Sequence, residues 1–387
     1  MFSSRVPPHR QPNRLTRAVG AARAGGRALV DLTVTNPTAV GIVYPDGVLA
    51  PLASAPALVY TPTPFGLDRA REAVAGDYAR RGVMVEPGRV VLTASTSEAY
   101  SLLFKLLCEP GDAVLVPAPS YPLFDHLTRL DGVRARPYAL EYHGRWCLDA
   151  GGLDRVWKHD VRAALGVSPN NPTGSRLSGA EIRELDARCA ARGAALVLDE
   201  VFADYPLHAG AARADAAGAP ASLTFRLGGL SKSAGLPGLK LGWMAVDGPA
   251  DLVAGALERL ELICDTYLSV STPVQAAACD VIRSGAAIRA QIQSRVVGNY
   301  RALRRIADAY PSLEVLQADG GWSAVVRVPA TRSEEDLVLE LLDRDGVLVH
   351  PGFFFDFPTE AFVVVSLLPE PARFADGVAR VMERAHA

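Results

Sequence analysis

From about Val90 to Val246, short apolar runs alternate with amphipathic stretches, and the runs end in polar or turn-forming residues. Ala113–Val116, Val161–Val167 and Ala194–Leu198 are apolar at nearly every position, as strands covered on both faces must be. Strand and helix in strict alternation predict an α/β fold wound around a mainly parallel sheet. Sheets of this kind bind ligands outside the carboxyl ends of their strands. The residues that close each run are therefore where chemistry is to be sought.

One of them is a lysine in a chain nearly without lysines. Of 40 basic residues only Lys105, Lys158, Lys232 and Lys240 are lysine. Lysine can lose its proton and attack a carbonyl, which arginine effectively cannot. Lys105 falls in an amphipathic helix and Lys158 in a polar turn, so both read as solvated. Lys232 follows a strand-like run, Ser222–Leu227, and the pair Gly228-Gly229, read as flexible, where it can present an amine to an aldehyde.

Four other run ends supply complementary groups. After Val90–Thr93 come Ser95, Thr96 and Ser97, with Glu98 at capping-box spacing from Ser95. Hydroxyls and free N–H groups at a helix start make an anion site, although read alone the segment is better explained as an ordinary capped helix. Pro117-Ala118-Pro119-Ser120-Tyr121-Pro122 holds an aromatic ring off a strand end. Ser168-Pro169-Asn170-Asn171-Pro172-Thr173-Gly174 places Asn171, with a donor and an acceptor, in a turn. Asp199 ends the apolar run before Glu200, where a carboxylate can pair with a protonated ring nitrogen or simply cap a helix. Each segment alone has an ordinary structural explanation. Five at successive strand ends together predict a phosphate-bearing aldehyde cofactor.

On these residues the chain resembles the class I/II aminotransferases of the fold-type-I pyridoxal phosphate superfamily. The specific parts are Asn170-Asn171-Pro172-Thr173-Gly174 and Ser231-Lys232 with Gly238-Leu239-Lys240-Leu241-Gly242, and the likeness runs over roughly residues 30–385. The resemblance implies a large domain with a mainly parallel sheet in an α/β/α sandwich and a smaller α+β domain. It implies pyridoxal 5'-phosphate as cofactor, with Lys232 linked to its aldehyde as a Schiff base and shuttling the substrate proton. Asp199 would pair with the pyridine nitrogen, Asn171 would bond the ring hydroxyl, and Tyr121 would stack on the ring. Ser95, Thr96, Ser97 and Lys240 would hold the phosphate. Tyr60 resembles the tyrosine that these enzymes lend across a homodimer interface to the partner's phosphate. Asn36 and Asn171 are expected to face substrate, and His350 is a further candidate contact.

Three positions depart from the family pattern. Phe202 stands where a tyrosine usually bonds the ring oxygen, with Tyr205 nearby as a substitute. Lys240 stands where arginine is usual, which keeps the charge but loses the bidentate fork. Val364 stands where many members carry the arginine that grips the substrate carboxylate; Arg327 and then His350 are the cations to consider in its place.

The expected organisation is an N-terminal segment, residues 1–45, folding onto the small domain; a large cofactor-binding domain, 46–285; and a small C-terminal domain, 286–387. Ala209–Ala221, rich in small residues, reads as a mobile loop. A net charge of −2 gives no reason to expect nucleic acid or an anionic membrane as partner. No apolar run approaches a membrane span, and no secretory signal is visible. Five cysteines without CxxC spacing read as reduced thiols of a cytoplasmic protein, and seven scattered histidines form no metal-ligand pair. The activity expected is amino-group transfer from an amino acid to a keto acid. A lyase or cyclase acting on a β- or γ-substituted amino acid is the alternative, and a non-catalytic cofactor-binding module ranks below both.

Overall fold

A computed structural model describes residues 2–7, 11–211 and 218–387. Residues 212–217, within the small-residue insert, lie outside the described part. The strands, in chain order, begin with β1 (Val30–Asp31), β2 (Val90–Thr93), β3 (Ala113–Ala118), β4 (Arg134–Tyr142) and β5 (Trp146–Leu148). Next come β6 (Val161–Val167), β7 (Ala195–Asp199), β8 (Thr224–Gly229) and β9 (Gly242–Asp247). The last are β10 (Glu314–Val315), β11 (Ser323–Arg327), β12 (Val347–Leu348), β13 (His350–Pro351) and β14 (Phe362–Ser366).

Eight strands form one sheet in the order β2-β9-β8-β7-β6-β3-β4-β5. The run β8-β7-β6-β3-β4 is parallel, whereas β9 runs antiparallel to both neighbours and β5 antiparallel to β4. Alternate residues of each central strand enter opposite cores. Val197, Leu165 and Phe225 pack with Leu103, Phe104, Val253 and Leu260 of the helices Thr96–Leu107 and Ala250–Tyr267. Leu196, Leu198 and Ala164 pack with Leu153, Ile182 and Leu185 of the helices Ala150–Val156 and Gly179–Arg192. This is the three-layer α/β/α arrangement that the uninterrupted apolar runs require.

The helix Thr272–Ala307 runs from the large sheet to the C-terminal elements. Beyond it, a four-stranded sheet has the order β10-β11-β14-β13, with Ser323 opposite Ser366 and Val325 opposite Val364. The N-terminal segment is stitched to this region. β1 pairs in parallel with β12, Ser366 donates its N–H to the Leu32 carbonyl, and Ser366 Oγ donates to the Val34 carbonyl.

β2, β3, β6, β7 and β8 all point the same way, so their carboxyl ends share one edge of the large sheet. Thr35 from the N-terminal segment and Trp322 and Ser323 from β11 and its approach close over that edge.

Candidate active site

A cavity of about 340 Å³ lies at this edge. Lys232, Asp199, Asn171, Tyr121, Ser95, Thr96, Ser97 and Lys240 all line it, although the chain separates the first from the last of them by 145 positions.

Lys232 sits in the single helical turn Leu230–Ser233 that follows β8 directly. Gly228 and Gly229 belong to the strand rather than to a flexible linker. A Cβ on Gly228 would come within 2.5 Å of the Trp243 indole nitrogen, and one on Gly229 within 3.2 Å of the Gly242 Cα. Close approach of β9, not freedom, requires glycine there. The turn is pinned from below. Tyr205 donates its hydroxyl to the Lys232 carbonyl at 2.5 Å, and Arg289 Nε donates to the Ser233 carbonyl at 2.7 Å. Arg289 in turn lies 3.5 Å from both Asp77 and Asp204. The Lys232 ammonium is 5.1 Å from the Trp322 ring centroid and 5.8 Å from that of Phe202. Burial lowers its pKa, against the opposing pull of Asp199.

Asp199 ends β7, is 7% exposed, and accepts two hydrogen bonds. Tyr100 donates to Oδ2 at 2.8 Å and the Val201 N–H to Oδ1 at 3.1 Å. Burial raises its pKa to about 6, with those two donors and Lys232 pulling it back down.

The two adjacent asparagines divide their work. Asn170 is buried and structural: it accepts from Ser120 Oγ and donates to the Pro119 carbonyl and Thr173 Oγ1, locking together the loops after β3 and β6. Asn171 lines the cavity, and its Oδ1 accepts from Ser323 Oγ at 3.3 Å. Tyr121, held by the first of these loops, is 43% exposed and forms part of the wall.

Ser95 caps the helix Thr96–Leu107 by accepting from the Glu98 N–H at 3.1 Å. Glu98 reaches back to the Ala94 N–H at 2.6 Å, one residue before the cap. The Ser95 hydroxyl proton remains available, as do the first-turn amides at a helix N-terminus. Gly242 backs this turn so closely that a Cβ would lie 2.9 Å from the Ser95 carbonyl carbon. Lys240 adopts the left-handed region, φ 53°, and brings positive charge to the same wall.

Three sequence candidates lie elsewhere. Asn36 spends its side-chain oxygen on Thr38, accepting from its N–H and hydroxyl; its neighbour Thr35 lines the cavity instead. His350 pairs with Val364 at the β13–β14 ladder and packs its ring against Phe354 and Phe355. Tyr60 is 69% exposed and borders a separate surface depression with Tyr267 and Gln275.

The departures from pattern also have structural readings. Tyr205 does not stand in for Phe202, because its hydroxyl is committed to the main chain beneath Lys232. Phe202 packs edge-on against Trp322, with ring centroids 5.3 Å apart. Val364 is 2% exposed within the hydrophobic core and does not line the cavity. Arg327 points outward, bonded to Glu314 at 2.8 Å and lying over Tyr142 and Phe362. Among the described residues, the only cations lining the cavity are Lys232 and Lys240.

Ser231, part of the motif around Lys232, also lines the cavity, as do Tyr100, Trp322 and Ser323, which were not singled out in sequence. Tyr100 lies on the apolar face of a helix, where a tyrosine reads as packing. Ser323 and Trp322 come from a strand region more than 80 residues beyond Lys232, and no local signal marks them.

The family description "Aminotransferase class I and II" fits residues 46–370. The chain belongs to that family. It is a pyridoxal phosphate-dependent aminotransferase, transferring an amino group from an amino acid to a keto acid. This aminotransferase is 25% identical over 393 residues to the glutamate-pyruvate aminotransferase AlaA of Haemophilus influenzae, an alignment covering 98% of this chain and 94% of that protein. It is 26% identical over 400 residues to the alanine aminotransferase of Mycobacterium tuberculosis strain H37Rv, covering 98% and 89%. Among solved structures, the alanine aminotransferase from Pyrococcus furiosus superposes with a TM-score of 0.88 at 21% identity, covering 99% of both chains. That likeness places this aminotransferase in the same fold.

Proposed function

We propose that the cavity seats pyridoxal phosphate with Lys232 at its aldehyde, Asp199 at its ring nitrogen, Asn171 at its ring hydroxyl and Tyr121 against its face. Ser95, Thr96, Ser97 and Lys240 hold the phosphate in this reading. One observation carries it: Lys232 and Asp199 close adjacent parallel strands and face one cavity whose far wall is a helix N-terminus bearing hydroxyls. The donor set fits the group, with a cation and helix amides for a phosphate, a buried carboxylate for a cationic ring nitrogen, and an amine whose burial favours the neutral form.

Bound pyridoxal phosphate supplies the carbonyl carbon and the electron-accepting ring. The protein supplies the proton carrier. Lys232 Nζ takes the α-proton of the amino donor and returns it, and the aromatic walls Phe202 and Trp322 keep water from the amine. Asn171, with its oxygen turned to Ser323, offers its amide N–H groups to the cofactor and the substrate carboxylate. With no arginine among the described lining residues, that carboxylate is met by neutral donors: Asn171 and Thr35.

Glutamate with pyruvate as acceptor, and alanine with the keto acid of glutamate as acceptor, are the pairs to test first, because the relatives' names specify that exchange. The test is a donor screen that follows loss of the cofactor's aldehyde absorbance and its return on adding a keto acid. Conversion by at least one α-amino acid, reversed by a keto acid, is the expected result. Ammonia and pyruvate released from a β-substituted donor, without reversal, would refute transfer as the main reaction.

In the same reading the protein is a homodimer with shared sites, to which each protomer lends Tyr60. Support comes from the exposed apolar run Leu58, Val59 and Tyr60 beside Tyr267. The large domain comprises residues 46–285 and the small one 286–387; of the 1–45 segment, β1 and the residues after it join the small domain, whereas Arg5 and Tyr44 bond to the large one, at the Leu130 and Gly235 carbonyls. The cytoplasm is the proposed location, supported by five free cysteines. Among the described residues no helix is long and apolar enough to cross a membrane.

A further inference from the structure

The two oxygens of Asp199 are held by donors of different origin. Oδ1 accepts from Val201, two residues along the chain, which fixes only the local turn. Oδ2 accepts from Tyr100, which arrives on the helix Thr96–Leu107. Tyr100 is 3% exposed and lines the same cavity. Its ring stands edge-on to Phe124 at 5.4 Å and stacks on Phe104 at 6.1 Å, so the hydroxyl has little freedom to move away.

We propose that Tyr100 is a positioning residue for cofactor binding: its hydroxyl donates to Asp199 and holds that carboxylate turned for the nitrogen of the cofactor ring. The inference rests on the role given to Asp199 above. Tyr100 also sits one turn inside the helix whose first residues form the candidate phosphate site. A single rigid element thus fixes both ends of the cofactor bed, the phosphate turn directly and the carboxylate through one hydrogen bond.

The chemistry supports the assignment. Burial raises the phenol pKa well above its ordinary value, so Tyr100 donates throughout the neutral range. A donor to a carboxylate favours the ionised form. The groups facing Asp199 are Tyr100 from the helix, Tyr121 from the loop after β3, Lys232 from the turn after β8, and Glu200 beside it on the chain. Glu200 opposes ionisation and Lys232 supports it. Tyr100 is the neutral side chain bonded to the carboxylate, so removing its hydroxyl alters the hydrogen bond without altering the charge count.

The experiment measures pyridoxal phosphate dissociation constants on purified apoenzyme at pH 6, 7 and 8. Tyr100→Phe is expected to weaken binding by about tenfold or more at pH 7, the cost of a charge-assisted bond. The penalty should grow as pH falls, since Asp199 then protonates more readily without its donor. In an Asp199→Asn background the same change should alter the constant by less than about twofold, because coupled residues are not additive. Tyr100→Gln, which keeps an N–H donor, should recover part of the loss and also carries the test if the Phe variant does not fold. Wild-type binding by Tyr100→Phe at every pH would overturn the proposal. So would an equal loss in the Asp199→Asn background, or a Gln variant no better than Phe. If Asp199→Asn alone binds and turns over like wild type, the role of Asp199 is wrong and this inference falls with it. If only the Tyr100 variants are silent, the role of Asp199 stands.

Discussion

The Lys232 amine is set by where the chain places it, with burial lowering its pKa. Two aromatic rings flank its amine, and Asp199 opposes the loss of its proton. Borohydride reduction of the cofactor-loaded enzyme should therefore fix the cofactor to the peptide carrying Lys232, and Lys232→Ala should abolish turnover. Label on Lys240 or Lys105 would refute the assignment. Asp199 pays the opposite cost of burial, and its effect on stability has a definite sign. Its folded pKa, about 6, lies above the ordinary carboxylate value of 3.8. In that window the folded state binds more protons than the unfolded, so apoenzyme stability falls as pH rises from about 4 to about 6 and then levels off. Asp199→Asn removes this penalty, up to about 3 kcal/mol at about 1.4 kcal/mol per pKa unit. The apo variant should melt higher than wild type at pH 7 and no higher at pH 4. The same variant should bind cofactor yet lose activity by roughly 10- to 150-fold, the equivalent of 1.5–3 kcal/mol. Scanning calorimetry across pH checks the first expectation and steady-state kinetics the second.

Between elements, the close contacts are made by backbone. β9 starts at Gly242, whose Cα faces the turn carrying Ser95, and β8 ends at Gly229 against it. A methyl group at residue 242 would sit 2.9 Å from the Ser95 carbonyl carbon and 3.0 Å from Thr93 Oγ1, so one of these must shift. Gly242→Ala should weaken cofactor binding by displacing the phosphate turn, and overpacking of this kind costs about 1–3 kcal/mol of stability. Isothermal titration with cofactor, together with a melting curve, checks both; unchanged affinity would show that the turn adapts. Tyr205 acts across elements as well, tying the segment after β7 to the Lys232 turn through one hydroxyl. Tyr205→Phe should cost about 1 kcal/mol, the loss of one hydrogen bond to a carbonyl that still accepts from the Gly235 N–H. The melting temperature should fall while the cofactor remains on Lys232.

At the scale of the whole molecule, the exposed side chains Leu58, Val59 and Tyr60 mark the face expected to meet a second copy. Light scattering should give twice the monomer mass, and Tyr60→Phe should weaken cofactor binding without changing that mass. A fully active monomer would refute shared sites. Beneath the cavity, Arg289 joins Asp77 and Asp204 to the Ser233 carbonyl, so the long helix Thr272–Ala307 supports the turn that carries Lys232 while running on to the C-terminal elements.

The α/β class and the polar residues that follow the apolar runs were legible in the chain alone, because parallel strands buried on both faces leave uninterrupted apolar runs and Lys232 stands out among arginines; the strand ends were not, since Gly228 and Gly229 read as a flexible pair and lie in β8. Asp199 was legible because it ends such a run, and Asn171 because it lies in the turn that follows one. Only the tertiary structure separated Asn170, locked between two loops, from Asn171 in the wall, since adjacent positions share one sequence signal. It also decided that Asn36 caps a turn, that Arg327 faces outward and that His350 sits in a ladder. Orientation depends on register and packing, which a single chain does not encode locally. Tyr100, Trp322 and Ser323 became visible only when a helix and a distant strand met at the carboxyl edge of the sheet, because residues joined only by folding leave no mark of their meeting in the order of the chain.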